Sequence, residues 1–360
     1  RDYLQSFVQN RFQSAGAMQQ GPTLFVNASL WPDVNYTQKF ADLLKAGEPM
    51  MSTSDQRISV ALIGPDTPIP DDLSSVGITS WLLAKGLPLR KCEFKTIDYP
   101  FHVIPMLYET FNRNIAARIA AGSYREIKDG VFVGENVSIG DYVVFHAENG
   151  PIVLDHDVNV LEFTYLQGPL YVAPKSKITE RSSIKEYTSV GQTCKVGGEV
   201  EASIIESFTN KQHHGFLGHS YVGSWVNLGA GTSNSDLKNS YGKIRVEIGD
   251  KRIDTGFQFF GTVIGDYSKT AINTSIFTGK IIGVNSMLYG YIGQNVASFT
   301  NYAKSFGQIT ECSLDAAIAM QRRMFSRRNI EQTEDDIAIL HAAFEQTREE
   351  RTLSSDVPVL

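Results

Sequence analysis

The sequence predicts a mainly β chain: a parallel β-helix preceded by a small α/β domain and followed by helices. Three observations carry this expectation. Stepping by six from Leu154 gives Val160, Leu166, Val172, Ile178, Ile184, Val190, Val196 and Ala202, an aliphatic column. Two residues earlier runs a second column, Ile152, Val158, Thr164, Leu170, Ser176, Ser182, Thr188, Cys194 and Val200, in which every member is apolar or small. Beyond residue 310 the period changes to a helical one. Alternate residues of a strand face one side, so each hexad suits a short strand with two inward side chains and then a corner. Three such hexads close a triangular coil, and stacked coils bury what one coil cannot.

In chain order, Thr23 to Asn27 and Arg57 to Ile63 read as strands, and Thr37 to Ala46 as a helix stopped at Gly47. Pro65, Pro68 and Pro70 punctuate a turn-rich stretch, and a longer helix is expected from Met106 to Ala121 before Gly122. Val133, Ile139 and Phe145 share the hexad spacing but are offset from Leu154, which places a small insertion at His146 to Pro151. After Ala202 the column reaches Phe208, slips to Phe216, Val222 and Leu228, and resumes at Ile264, Thr270, Ile276, Ile282 and Leu288. Residues 234 to about 258 are therefore expected to project as a loop on the binding face. Ser313 precedes one helix and Thr333 with Asp336 begins another as a capping box, two helices that would cap the open end. The expected domains are 1–122 (α/β), 123–310 (β-helix) and 311–360 (helical).

Composition narrows the function. A net charge of −6 speaks against broad binding to nucleic acid or anionic membranes. Cys92, Cys194 and Cys312 are too few and too widely spaced for a disulfide framework or a zinc ribbon, which fits a reducing cytoplasm. No apolar run approaches the ~18 residues of a membrane span. The chain begins at Arg1 rather than methionine, so preceding sequence is an open possibility.

Chemistry-bearing residues concentrate between Lys211 and Gly242, in KQHHGFLGHSYVGSWVNLGAGTSNSDLKNSYG. His213 and His214 lack accompanying Cys or carboxylate spacing, and neighbouring strand residues face opposite ways, so no metal site is expected. Asn234 and Asn239 suit turns. Arg322, Arg323, Arg327 and Arg328 form a solvated basic face or a contact for coenzyme phosphates.

The hexads together with LGHSYVG and WVNLGAGT resemble the β-helix acetyltransferase half of bifunctional UDP-N-acetylglucosamine pyrophosphorylase/glucosamine-1-phosphate N-acetyltransferases. From Cys194 onward the chain is also similar to sugar nucleotidyltransferases that carry this β-helix. The resemblance implies a left-handed coil, a homotrimer, acetyl-CoA as co-substrate and an amino-sugar phosphate such as glucosamine-1-phosphate as acceptor. It implies His219 as the general base, an imidazole being suited by its near-neutral titration. It further implies substrate contacts from Glu201, Lys211, Tyr221, Asn227, Asn239 and Tyr241. Glu201 lies farther from His219 than in the family pattern, and Asn239 and Tyr241 are displaced from the family's Asn-Tyr pair. Residues binding the coenzyme are not identified.

Two alternatives stay open. The glycines between Arg1 and Gly122 stand isolated, unlike the phosphate-wrapping loop of nucleotidyltransferases. A nucleotidyltransferase would then need residues before Arg1, and Mg²⁺ would be required only for that activity. A non-catalytic, trimeric sugar-binding scaffold is the third reading.

Overall fold

In a computed structural model the described residues are 21–54, 57–65, 67–69 and 75–354. Pro70 of the proline-rich stretch lies outside them. The chain divides into two compact units, residues 1–102 and 103–360.

Within the first unit, Arg57–Ile63 is the central strand of an antiparallel sheet, flanked by Thr23–Val26 and Met50–Ser54. Helix α1 (Asn35–Ala46) ends as expected at Gly47, whose φ of 64° closes the helix through its N–H to the Leu43 carbonyl. Helix α2 (Ser75–Ala84) contributes Leu82 to a core with Met51, Ala61 and Ile63.

The second unit begins with helix α3 (Val103–Ala121), which the sequence-based boundary assigned to the first domain. The reason it groups with the coil is packing: Leu107, Phe111 and Ile115 bury against Val153, and Phe132, Tyr171, Tyr187 and Ile204 close round them. Its far end is fastened by a polar knot at Asp155. Tyr171 and Tyr124 donate hydroxyl bonds of 2.7 and 2.9 Å to one carboxylate oxygen, the His156 backbone donates to the other at 2.9 Å, and Arg118 stands 3.5 Å away. Burial alone would raise the Asp155 carboxyl, but these bonds more than offset it and hold it below its ordinary value.

The coil is the hexapeptide-repeat parallel β-helix of the sequence reading. Its three walls are ladders of parallel strands, one of them running through Val133, Leu154, Val172, Val190, Ile205, Val222, Ile264 and Ile282. Members of the two columns from Ile152 to Val200 are buried. Each aliphatic one removed from water contributes about 1.5–3 kcal/mol. The offset before Leu154 is an insertion as expected: Phe145 pairs with Leu166, and residues 147–149 form a turn. The resumption at Ile264 is also in register.

One stretch corrects the column. Ala202 and Phe208 are not wall positions but corners, with φ of 43° and 64°. Coils shorten after Val196, so the inward places pass to Val200, Ile205, Lys211, Leu217 and Val222. Counting in sixes missed this because two residues are lost at Gly197 and Gly198, where the chain turns tightly with φ of 70° at Gly198, and one more between Val200 and Ile205.

The projecting loop carries a hairpin, Arg245–Ile248 paired with Lys251–Asp254. Three C-terminal helices follow: α4 (Leu314–Ser326), α5 (Glu334–Gln346) and α6 (Arg348–Ser354). Ser313 caps α4, and Thr333 and Asp336 form the capping box of α5. Rather than covering only the end, α4 lies along a coil edge: Phe325 packs on Trp225, ring centroids 4.6 Å apart, and α4 and α5 bury Ala317 and Leu340 with Phe299.

Candidate active site

The coil edge that carries Tyr187, Ala202 and His219 is where polar chemistry gathers. All three turn the corner with left-handed backbone, φ of 53°, 43° and 46°, a conformation in which histidine is tolerated better than most side chains. His219 follows the strand Phe216–Gly218, whose Gly218 pairs with Glu201 one coil below, and the Glu201 carbonyl accepts the His219 N–H at 3.2 Å. The side chain of His219 is 12% exposed.

Both ring nitrogens are engaged. Nδ1 lies 2.8 Å from Oδ2 of Asp236, and Nε2 lies 3.0 Å from the hydroxyl of Tyr108 on α3. A carboxylate can only accept, so Nδ1 carries the proton; in the neutral imidazole Nε2 then holds the lone pair and accepts from Tyr108. Burial, then the carboxylates of Glu201 and Glu186, pushes the Tyr108 hydroxyl up to about 12. Phe259, returning from the projecting loop, stacks on the imidazole with centroids 5.3 Å apart. Phe260 donates its N–H to the carbonyl of Asp236, so the two ends of the loop grip each other beneath the histidine.

Gly218 is needed at this spot. A Cβ there would come within 2.6 Å of Asp236 Oδ2 and closer still to the Phe216 ring. Asn234 faces inward beside it and substitutes for a strand, accepting from the Gly218 N–H at 3.0 Å and donating to the Gly218 carbonyl at 3.1 Å.

Glu201 completes the cluster: donor atoms of Glu201, His219 and Asp236 all lie within 4.8 Å of one another. Such a set could face a cation, but here both imidazole nitrogens are spent on hydrogen bonds. Lys185 bridges Glu199 at 2.6 Å and Glu201 at 3.1 Å, and the Glu199 bond above all raises the lysine above its usual range. Glu186 leaves its Oε2 buried without a hydrogen-bond partner among the described residues.

Of the residues the sequence nominated, the structure brings together His219 and Glu201. Lys211 is displaced from the role expected of it. It fills an inward wall place, is 2% exposed, and donates to the carbonyls of Gly197 and His213 at 2.8 Å each, so it is unavailable to a sugar phosphate and is not solvated either. Burial lowers it to about 8. Tyr221 is on an adjoining wall with its hydroxyl bonded to Glu206, and burial first, then Glu206, raises it. Asn227 is exposed on the next wall, bridged to Asn210 and Lys269. Asn239 and the 69% exposed Tyr241 stand on the projecting loop. Sequence reasoning missed Asp236, Tyr108 and Phe259. The signal for Asp236 was present, since it follows His219 by one coil of seventeen residues; it was obscured because the stretch reads as loop.

Comparison with known proteins agrees with the resemblance carried by the motifs. Over 142 residues the chain is 31% identical to a bifunctional sugar-1-phosphate nucleotidylyltransferase/acetyltransferase of Sulfurisphaera tokodaii, covering 39% of this chain and 35% of that protein. It is 27% identical over 159 residues to the bifunctional protein GlmU of Prochlorococcus marinus, covering 44% and 30%. The chain thus spans about a third of the length of the curated relatives it matches. Among solved structures, an Arabidopsis UDP-N-acetylglucosamine acyltransferase aligns over 64% of this chain and 90% of its own, at 12% identity and a TM-score of 0.30. No family model matches the sequence. No helix among the described residues is long and apolar enough to cross a membrane. On sequence, the chain is similar to the bifunctional sugar-1-phosphate nucleotidylyltransferase/acetyltransferases.

Proposed function

We propose that this chain is an N-acyltransferase that moves an acyl group from a coenzyme A thioester, acetyl-CoA in the first instance, to the amine of an amino-sugar phosphate such as glucosamine-1-phosphate. The observation that carries this reading is the Asp236–His219–Tyr108 chain of hydrogen bonds, with Glu201 beside it. An imidazole oriented by a carboxylate on Nδ1 presents Nε2 as a base, and a general base must reach its proton within about 2.6–3.2 Å. That place is filled by the Tyr108 hydroxyl, so the acceptor amine takes it over on binding. The carboxylates of Glu186 and Glu201 suit an incoming ammonium or sugar hydroxyl.

In the reaction the amine nitrogen attacks the thioester carbonyl carbon and a C–N bond forms. His219 Nε2 takes the amine proton. The tetrahedral intermediate collapses, the C–S bond breaks, and the thiolate leaves with the proton returned by His219. Asp236 steadies the imidazolium between the two transfers. The products are an N-acyl sugar phosphate and free coenzyme A. A homotrimer working in the cytoplasm belongs to the same proposal.

The names of the relatives favour a second reading, nucleotidyl transfer to a sugar phosphate, and it is to this reading alone that Mg²⁺ belongs. One experiment separates the two. Thiol release measured with acetyl-CoA and glucosamine-1-phosphate should depend on both compounds. No release, with thermal stabilisation by UTP or UDP-N-acetylglucosamine and none by acetyl-CoA, would replace the first reading by the second.

A further inference from the structure

Three carboxylates stand round the place that the Tyr108 hydroxyl now fills. After burial, it is the charges of Glu201 and Glu186, and more weakly that of Asp236, that raise this hydroxyl. They are not equivalent, because two of them already have a partner. Asp236 Oδ2 takes the Nδ1 proton of His219 at 2.8 Å. Glu201 Oε2 lies 3.1 Å from the ammonium of Lys185.

Glu186 is the exception. Its Oε2 is shut off from solvent and meets no donor among the described residues. Lys185, its neighbour in the chain, does not compensate it, being turned to Glu199 at 2.6 Å and to Glu201. The backbone fixes where Glu186 stands: its carbonyl accepts the N–H of Ala202 at 2.9 Å, on the corner that carries His219 one coil further on. The next residue, Tyr187, lays its ring against that of Tyr108 with centroids 4.7 Å apart. A buried carboxylate oxygen without a donor has lost its hydration and gained nothing in exchange. A fold keeps such a group where a ligand brings what is missing.

We infer that Glu186 is the residue that selects the acceptor, by accepting a hydrogen bond from its ammonium group at Oε2. The inference rests on the reading of this site as the place of an amino-sugar acceptor, and narrows it to one carboxylate and one charge state on arrival. A sugar hydroxyl would supply a donor and leave the negative charge unmatched, whereas an ammonium supplies three donors and the opposite charge. The role is recognition, ahead of the proton transfer at His219.

Titration calorimetry of the whole chain with glucosamine-1-phosphate and glucose-1-phosphate reads this selection without turnover, since the two differ only by an amine in place of one hydroxyl. The wild type should bind the amino sugar at least about tenfold more tightly. Glu186→Gln keeps the shape and removes the charge, and should weaken glucosamine-1-phosphate roughly 10- to 100-fold while glucose-1-phosphate stays within about threefold. A merely structural role would weaken both alike. Glu186→Asp, which retains the charge, should retain part of the preference. Equal affinity of the wild type for the two compounds, binding of neither, or a preference undiminished in Glu186→Gln would overturn the inference. Failure of the acyl-transfer reading looks different: amine-selective binding that depends on Glu186, with no thiol release from the wild type.

Discussion

At the residue scale the molecule turns on two cationic or titratable side chains in unlike settings. Lys211 stands where the preceding strands of its ladder place isoleucine or valine. Its folded form releases a proton near pH 8, well below the 10.5 of a solvated lysine, so between those values the unfolded chain binds more protons and stability must rise with pH. Compared with Lys211→Met, the wild type should gain up to about 3 kcal/mol between pH 8 and 10.5 in denaturant unfolding. A constant difference across that range would show that the ammonium is not buried. Tyr108 makes the other residue-scale prediction. If the acceptor displaces its hydroxyl, Tyr108→Phe keeps kcat within about threefold, under 1 kcal/mol of barrier. It should also lower KM for the acceptor, because one hydrogen bond no longer has to be broken. A loss of about 10² in kcat would instead make Tyr108 a proton carrier between substrate and His219.

At the scale of elements, helix α3 is held to the coil by apolar contacts at one end and by Asp155 at the other. Asp155→Asn removes the negative acceptor shared by Tyr124 and Tyr171 and should cost about 1–3 kcal/mol at neutral pH. Because the folded carboxyl titrates below its ordinary value, the wild-type advantage is present above about pH 4 and fades as pH falls through the folded value. Chemical unfolding of both proteins from pH 7 to pH 3 checks this; an advantage that persists in acid would contradict it. Period and capping were legible in the sequence because they are local. The columns through Val200, the strand at Arg57–Ile63, the stop at Gly47 and the capping box at Thr333 depend on neighbours within a few residues. Tyr108 was not legible, since nothing near it signals that α3 lies over a corner formed more than a hundred residues later. Asp236 was obscured for a related reason: an insertion begins there, and its own polarity resembles a turn. The shortened coils after Val196 defeated strict counting in sixes and left Lys211 assigned to the substrate rather than to the wall.

At the scale of the whole molecule, a stack of equivalent coils makes every corner a candidate site, and what differs is which corner receives help from outside the repeat. One edge receives α3 and the projecting loop, which bring Tyr108, Asp236 and Phe259 to His219. Another receives α4, which brings Phe325 to Trp225. The coil supplies rigid spacing and the additions supply chemistry, which is the expected division of labour in a solenoid. The central claim is that His219 removes the amine proton. His219→Asn tests it most directly, because asparagine also tolerates the left-handed backbone at this corner and the coil should remain intact. In the thiol-release assay with saturating acetyl-CoA and glucosamine-1-phosphate, the account predicts a kcat lower by about 10² to 10⁴ with an unchanged unfolding midpoint. A folded His219→Asn variant that turns over at the wild-type rate would contradict it.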